Sequence, residues 1–253
     1  MTDDLQKASM WKRISAGLFD GILLAAVAVL CAWLISVAVN YDAQNQTLAD
    51  IYARYEEAYG VDFNAAVNAY ASLSEEEIAQ IDTAYAALSA DENALYAYEM
   101  LLRLTLIIVT LGILLAYVIM EFTVPMLLGN GQTFGKKIFG IGLMHQDFTQ
   151  IKGTSLFIRT ILGKYTIETM IPVLLILMML YGAVGIIGPT IILVLLVVEI
   201  VMIIATRTNA LIHDQISSTV CVDIASQRIF ATHEDLIAFK QRMHADKASR
   251  QPY

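Results

Sequence analysis

The sequence predicts an all-α membrane protein, a four-helix transmembrane bundle with an acidic helical extracytoplasmic insert, and three observations predict it. Of the 253 residues, 57% are hydrophobic, and mean hydropathy is positive, the composition of an integral membrane chain. Between Ile14 and Val39 the only ionisable charge is Asp20, and a helix of that run exceeds the roughly 30 Å of a hydrocarbon core at about 1.5 Å per residue. Residues 41–100 hold twelve acids against the single Arg54, a net of −11, while the rest of the chain carries +3. The acidic balance therefore belongs to one segment, and nucleic acid is excluded as its partner.

Residues 1–40 form a polar N-terminal tail and the first membrane helix. Lys7, Lys12 and Arg13 flank the span, which places the N-terminus in the cytoplasm, and Trp11 sits as an interfacial anchor. The apolar run is longer than a signal-peptide core and lacks a small-x-small cleavage site, so it reads as a retained anchor. Residues 41–100 are too polar for lipid. Leu48, Ile51, Tyr52, Tyr55 and Tyr59 make a helical stripe, and Ser74 with Glu77 and Ser89 with Glu92 read as capping boxes. This insert holds eight of the twelve tyrosines. Two readings of it stay open: a solvated helical hairpin that links two spans, or an outer surface that gathers cations or docks a partner.

Residues 101–206 carry membrane helices two to four. The second span runs from Leu101 to Leu128, interrupted by Arg103 and Glu121, and leads into a loop at 129–158 whose Lys136, Lys137 and Lys152 make it cytoplasmic. The third span is expected from about Ile161, with Lys164 and Glu168 at the boundary. After the glycine-rich turn 181–189, the fourth runs from about Ile186 to Thr206, with Pro189 in its first turn. Residues 207–253 return to the cytoplasm, where Thr232 and Asp235 cap an amphipathic helix bearing Leu236, Phe239 and Met243. The β-prone patches GIGLMHQDF and STVCVDI either pair as two strands beneath the bundle or stand as independent loops.

Ionisable residues inside a membrane bundle are functional-site candidates. Asp20, Glu121 and Glu199 each lie about seven residues from the cytoplasmic end of their spans, about 10 Å deep, with Glu168 near the same layer. These four are the candidate ion- or proton-binding residues. Pro125 and Pro172 each follow one of these acids by four residues, freeing the carbonyls of Glu121 and Glu168. The competing reading makes the acids structural partners of Arg13, Arg159, Lys164 or Arg207. Arg13 and Asp20 are two turns apart, too far for easy contact on a straight helix. Arg13 is therefore expected to meet Asp214 or lipid phosphate, and Asp20 to face Glu121, Glu199 or a base from the third helix.

GNGQTFGKK fails as a phosphate-binding loop, since Asn130 stands where glycine is required and Lys137 where Ser or Thr is. No metal or cofactor constellation is legible. Cys31 and Cys221 are separated by lipid depth and are not expected to form a disulfide. The histidines fall outside the spans, and an enzymatic reading has no support.

Arg13 with Asp20, then GQTFGKK at 131–137, then His213-Asp214 leading into STVCV at 218–222, together resemble the RDD family of bacterial membrane proteins. The likeness covers about 8–40 and 101–224, and the family's one Arg and two Asp map onto Arg13, Asp20 and Asp214. It implies a multi-spanning protein of a bacterial plasma membrane with a transport role, and cation/proton antiport is the activity proposed for some members. The long insert at 41–100 departs from the family, which has a short connection there. The function read from these features is transport of a small cation, Na+ or H+, through the carboxylates. The alternative is a non-transporting adaptor that docks protein partners or anionic lipid. Because four helices make a slender bundle, a homo-oligomer or a membrane-protein partner is an added expectation.

Overall fold

The computed structural model describes residues 5–64 and 73–249; residues 65–72 of the insert, Tyr70 among them, lie outside the described residues. In chain order the elements are α1 (Met10–Ala38), α2 (Tyr41–Tyr59), α3 (Glu75–Ala90), α4 (Glu92–Leu128), α5 (Phe134–Ile138), β1 (Ile141–His145), α6 (Gly153–Leu180), α7 (Ile187–Ala205), α8 (Ile212–Ile216), β2 (Thr219–Asp223) and α9 (His233–Ser249). Four of them, α1, α4, α6 and α7, are long and apolar enough to cross a membrane. The protein is thus an all-α membrane protein with one small sheet.

Two helix starts differ from the sequence expectation. α4 begins at Glu92 rather than Leu101, because ENALYAYEM is rich in helix formers and contains neither Gly nor Pro to stop it. α6 begins at Gly153 rather than near Ile161, because Arg159 and Lys164 are carried inside on partners and mark no boundary. α7 starts with Pro189 in its first turn, where a missing N–H costs nothing. Both α4 and α6 contain π-helical stretches, Val118–Thr123 and Ile158–Met170, immediately before Pro125 and Pro172. A helix with i→i−5 bonds accommodates a proline downstream by rerouting the bonds the ring removes.

The chain divides into two compact units. The first comprises Met1–Ala28 and Ile113–Tyr253. Its sheet pairs β1 and β2 antiparallel, with Ile141 opposite Asp223 and His145 opposite Thr219, so the two β-prone patches do pair. Residues Gln6 to Ala8 continue the sheet beyond β2: Ala8 N–H donates to Cys221 O at 3.1 Å and Asp223 N–H to Gln6 O at 3.2 Å. Leu143, Met144, Val220 and Val222 are buried at the centre. Thr232 and Asp235 cap α9 reciprocally, and the Arg228 guanidinium lies 4.7 Å from the Phe239 ring centroid.

The second unit, Val29–Gly112, holds α2, α3 and the adjoining ends of α1 and α4. Its core gathers Ile51, Phe63, Ala84, Leu88, Ala94 and Ala97, with Leu48, Tyr52 and Tyr55 from the α2 stripe packed against them. The Ser74–Glu77 capping box forms, with Ser74 N–H donating to Glu77 at 2.8 Å. The Ser89–Glu92 box does not: α3 runs through Ser89, and Asp91 instead accepts from Asn93 N–H at 2.8 Å. Inside this unit Gly112 lies so close to Ala32 that a Cβ would stand 3.0 Å from the alanine's own.

Candidate functional site

The buried charges of the first unit collect around two carboxylates. Asp214, on α8, is 1% exposed. One of its oxygens accepts from Arg13 at 3.0 Å, the contact expected from the sequence, and the other from Arg159 on α6. Arg13 is oriented further by the Asn209 carbonyl at 2.7 Å, and Arg159 by the Thr219 hydroxyl at 2.6 Å. Burial alone would raise the Asp214 carboxyl, but the Arg159 guanidinium, with His213 and Arg13, overrides it and holds it well below the usual carboxylate range.

Glu121 forms the second centre. Lys164 Nζ lies 2.7 Å from its Oε2 and Lys136 Nζ 3.9 Å from the same oxygen. The Glu121 carbonyl, expected to be freed by Pro125, accepts from the Thr160 hydroxyl at 3.0 Å. Lys136 lies on α5, where burial, joined by Lys164, lowers its ammonium to about 8 against the pull of Glu121. This pairing of Glu121 with Lys164 is the one the structural reading of the sequence allowed.

The other two acids are held by neutral donors. Asp20 was expected to face Glu121, Glu199 or a base of the third helix; it shares a cavity with Glu121, Arg159 and Lys164 but not Glu199, and its hydrogen bonds come from the Thr133 hydroxyl and, at 2.7 Å, from Gly135 N–H. The cause is steric as well as polar. A Cβ on residue 135 would stand 2.5 Å from the Ala16 carbonyl and 2.9 Å from the Asp20 carboxylate, so only glycine lets the loop come this close. Thr133 also receives Lys136 N–H at 3.4 Å, so the hydroxyl links Asp20 to the start of α5. Glu168 pairs not with Arg13, Arg159, Lys164 or Arg207 but with His213, accepting from its backbone N–H at 2.9 Å and lying 2.7 Å from Nδ1. Burial pushes the imidazole down, the Arg159 guanidinium adds to this, and His213 reaches about 4 despite Asp214 and Glu168. His213 is therefore neutral at physiological pH, and its contact with Glu168 is an Nδ1–H hydrogen bond rather than an ion pair.

Asp20, Glu121 and Glu168 line one cavity of about 390 Å³. Arg13, Lys136, Arg159 and Lys164 line it as well, and apolar side chains of α1 and α7, such as Leu24 and Ile203, complete the wall. Of the four proposed ion-binding acids, Glu199 stands apart. It does not line the cavity, and both of its carboxylate oxygens are buried without a hydrogen-bond partner among the described residues. Sequence reasoning named Arg159 and Lys164 as possible partners of the acids but not that Arg159 pairs with Asp214, and it saw His213 only as the neighbour of Asp214.

The RDD family model matches residues 7–218 of the chain. No curated protein and no solved structure matches it.

Proposed function

The chain belongs to the RDD family, and from that premise we propose that it is a multi-pass transporter of a small monovalent cation or proton with this cavity as its working site. One observation carries the reading. Asp20 and Glu168 line the cavity, yet among the described residues neither has a Lys or Arg within ion-pair distance, whereas Glu121 and Asp214 each hold two. Asp20 and Glu168 are the carboxylates assigned to the ion; the other two keep the surrounding cations in place. Na+ and H+ are the ions of choice, and the role is binding and passage rather than catalysis. The basic flanks at Lys7, Lys12, Lys136 and Lys137 support cytoplasmic termini in a bacterial plasma membrane, with the acidic insert outside. Cysteines at residues 75–95 should then label from outside intact cells, and a cysteine at Lys137 should not.

The adaptor reading draws on a different observation: the ion pairs of Glu121 and Asp214 are those of a bundle locked by its own charges. One experiment separates the two. Purified protein in vesicles should change lumenal pH when Na+ is added, and Asp20→Asn should abolish the signal while leaving the melting temperature within a few degrees. Loss of stability in Asp20→Asn, with no cation-linked pH change from the unaltered protein, selects the adaptor.

A further inference from the structure

The three charges that α6 brings to the cavity are Arg159, Lys164 and Glu168, spaced five and four residues apart. In an α-helix, at about 100° per residue, Lys164 would point about 140° away from Arg159 and Glu168 about 180° away. In a π-helix, at roughly 4.4 residues per turn, the same three side chains fall within about 50° of one another. The segment from Ile158 to Met170 is π-helical throughout. Its end is marked by a backbone i→i−5 bond, Ile171 N–H to Thr166 O, and the Thr166 hydroxyl reaches back five residues to Ile161 O at 2.8 Å. The π geometry is thus what assembles this wall of the cavity.

A π run of 13 residues is far longer than the single-turn bulges usual in α-helices, and it persists where contacts over-determine it. Two such contacts lie on α6. Thr160 donates to the Glu121 carbonyl at 3.0 Å. Gly163 packs against α8 so tightly that a Cβ there would stand 2.5 Å from that of His213 and 2.7 Å from its Cα. The facing stretch of α4 is itself π-helical around Glu121.

We propose that α6 is a register switch: a π-to-α conversion between Ile158 and Met170 withdraws Lys164 from Glu121 and Glu168 from His213, opening the cavity, and the return to π closes it. This deepens the transport reading by naming the moving part, and it rests on that reading for its purpose. The motion needs no hinge between rigid helices. Lys164 and Glu168 leave the wall while Arg159, held by Asp214 and Thr219, stays as the pivot.

The conversion lengthens the segment, because a π-helix rises about 1.2 Å per residue against 1.5 Å in an α-helix, a gain of about 4 Å over its length. Nitroxides at Thr154 and Ile176, on the α-helical ends of α6, read that length by pulsed electron resonance in vesicles. In choline chloride the unaltered protein should give the short distance, and in sodium chloride a second population about 4 Å longer. Gly163→Ala, which brings a methyl group onto His213 and favours the α register, should show the longer distance in both salts. Should that variant fail to fold, Thr160→Val, which removes the tie to Glu121, should shift the same population more weakly. One short distance in every salt and variant overturns the switch. If sodium-linked pH changes persist in the same vesicles, the transport reading survives that failure. A lengthening with Gly163→Ala in protein that moves no ion upholds the switch and overturns the transport reading.

Discussion

The two compact units of this chain handle carboxylates in opposite ways. In the unit containing the cavity, Asp20, Glu121 and Asp214 are buried, and each is held by side chains or loop backbone distant in sequence. In the unit containing the insert, acids sit at the surface and serve their own neighbours: Glu77 closes a cap on Ser74, Asp91 accepts from Asn93, and Glu99 meets Arg103 one turn on. Buried charge in the first unit is specified by tertiary partners, and the exposed acids of the second largely by the local backbone. The same residue types should therefore tolerate substitution very differently.

The sharpest contrast is expected at Asp214. Asp214→Asn leaves two buried guanidiniums without a counter-charge and should cost about 4–5 kcal/mol, read as a large fall in melting temperature in detergent. A loss below about 1 kcal/mol would break the contrast between the units. Glu121→Gln strands Lys164 in the same way and should cost about 3 kcal/mol, much of it restored by adding Lys164→Met. Additive losses in that double variant would mean the pair is not coupled.

Next comes pH. The imidazole of His213 titrates at about 4 in the fold, below its ordinary value of 6.5, so on acidification the unfolded chain takes the proton first. The stability this residue contributes is whole above pH 6.5 and lost as pH falls through 4, an effect of about 3 kcal/mol. Melting curves across that window should slope downward, and His213→Gln should flatten the slope. The smallest effects belong to the insert. Ser74→Ala should cost about 1 kcal/mol through loss of its cap, visible as faster amide exchange confined to α3. Arg103→Gln should shift stability by less than about 0.5 kcal/mol.

The same contrast explains what could be read from the residues alone. The four spans were legible as apolar runs, and the Ser74 and Thr232 caps as short-range patterns, because both signals are local. The pairing of β1 with β2 was one of two readings of their β-prone patches, and Asp214 one of two partners open to Arg13 once distance excluded Asp20; both were found. Asp20's true partners were not legible, since a backbone N–H at Gly135 leaves no mark in a side-chain pattern. The glycine itself was the only clue. Arg159 and Lys164 were legible as possible partners of the acids, but their place on one wall was not, because a reading at 3.6 residues per turn scatters them around α6 and puts Lys164 at the span boundary.

The ties between Ala8 and β2 and between Arg13 and Asp214 also govern biosynthesis. Arg13 and Asp214 are 201 residues apart; Arg13 lies in the first turns of α1, and the other three candidate spans lie between the two residues. At roughly 5–20 residues per second, an interval on the order of 10–40 s separates their synthesis. Throughout that interval Arg13 lacks Asp214, whereas Asp20 waits only for Thr133 and Gly135. A ribosome that stalls before α8 leaves a chain whose buried charges are exposed to whatever degrades unassembled membrane proteins. Closure of α8 and β2 on Arg13 and Ala8 thus comes only after all four candidate spans have been made.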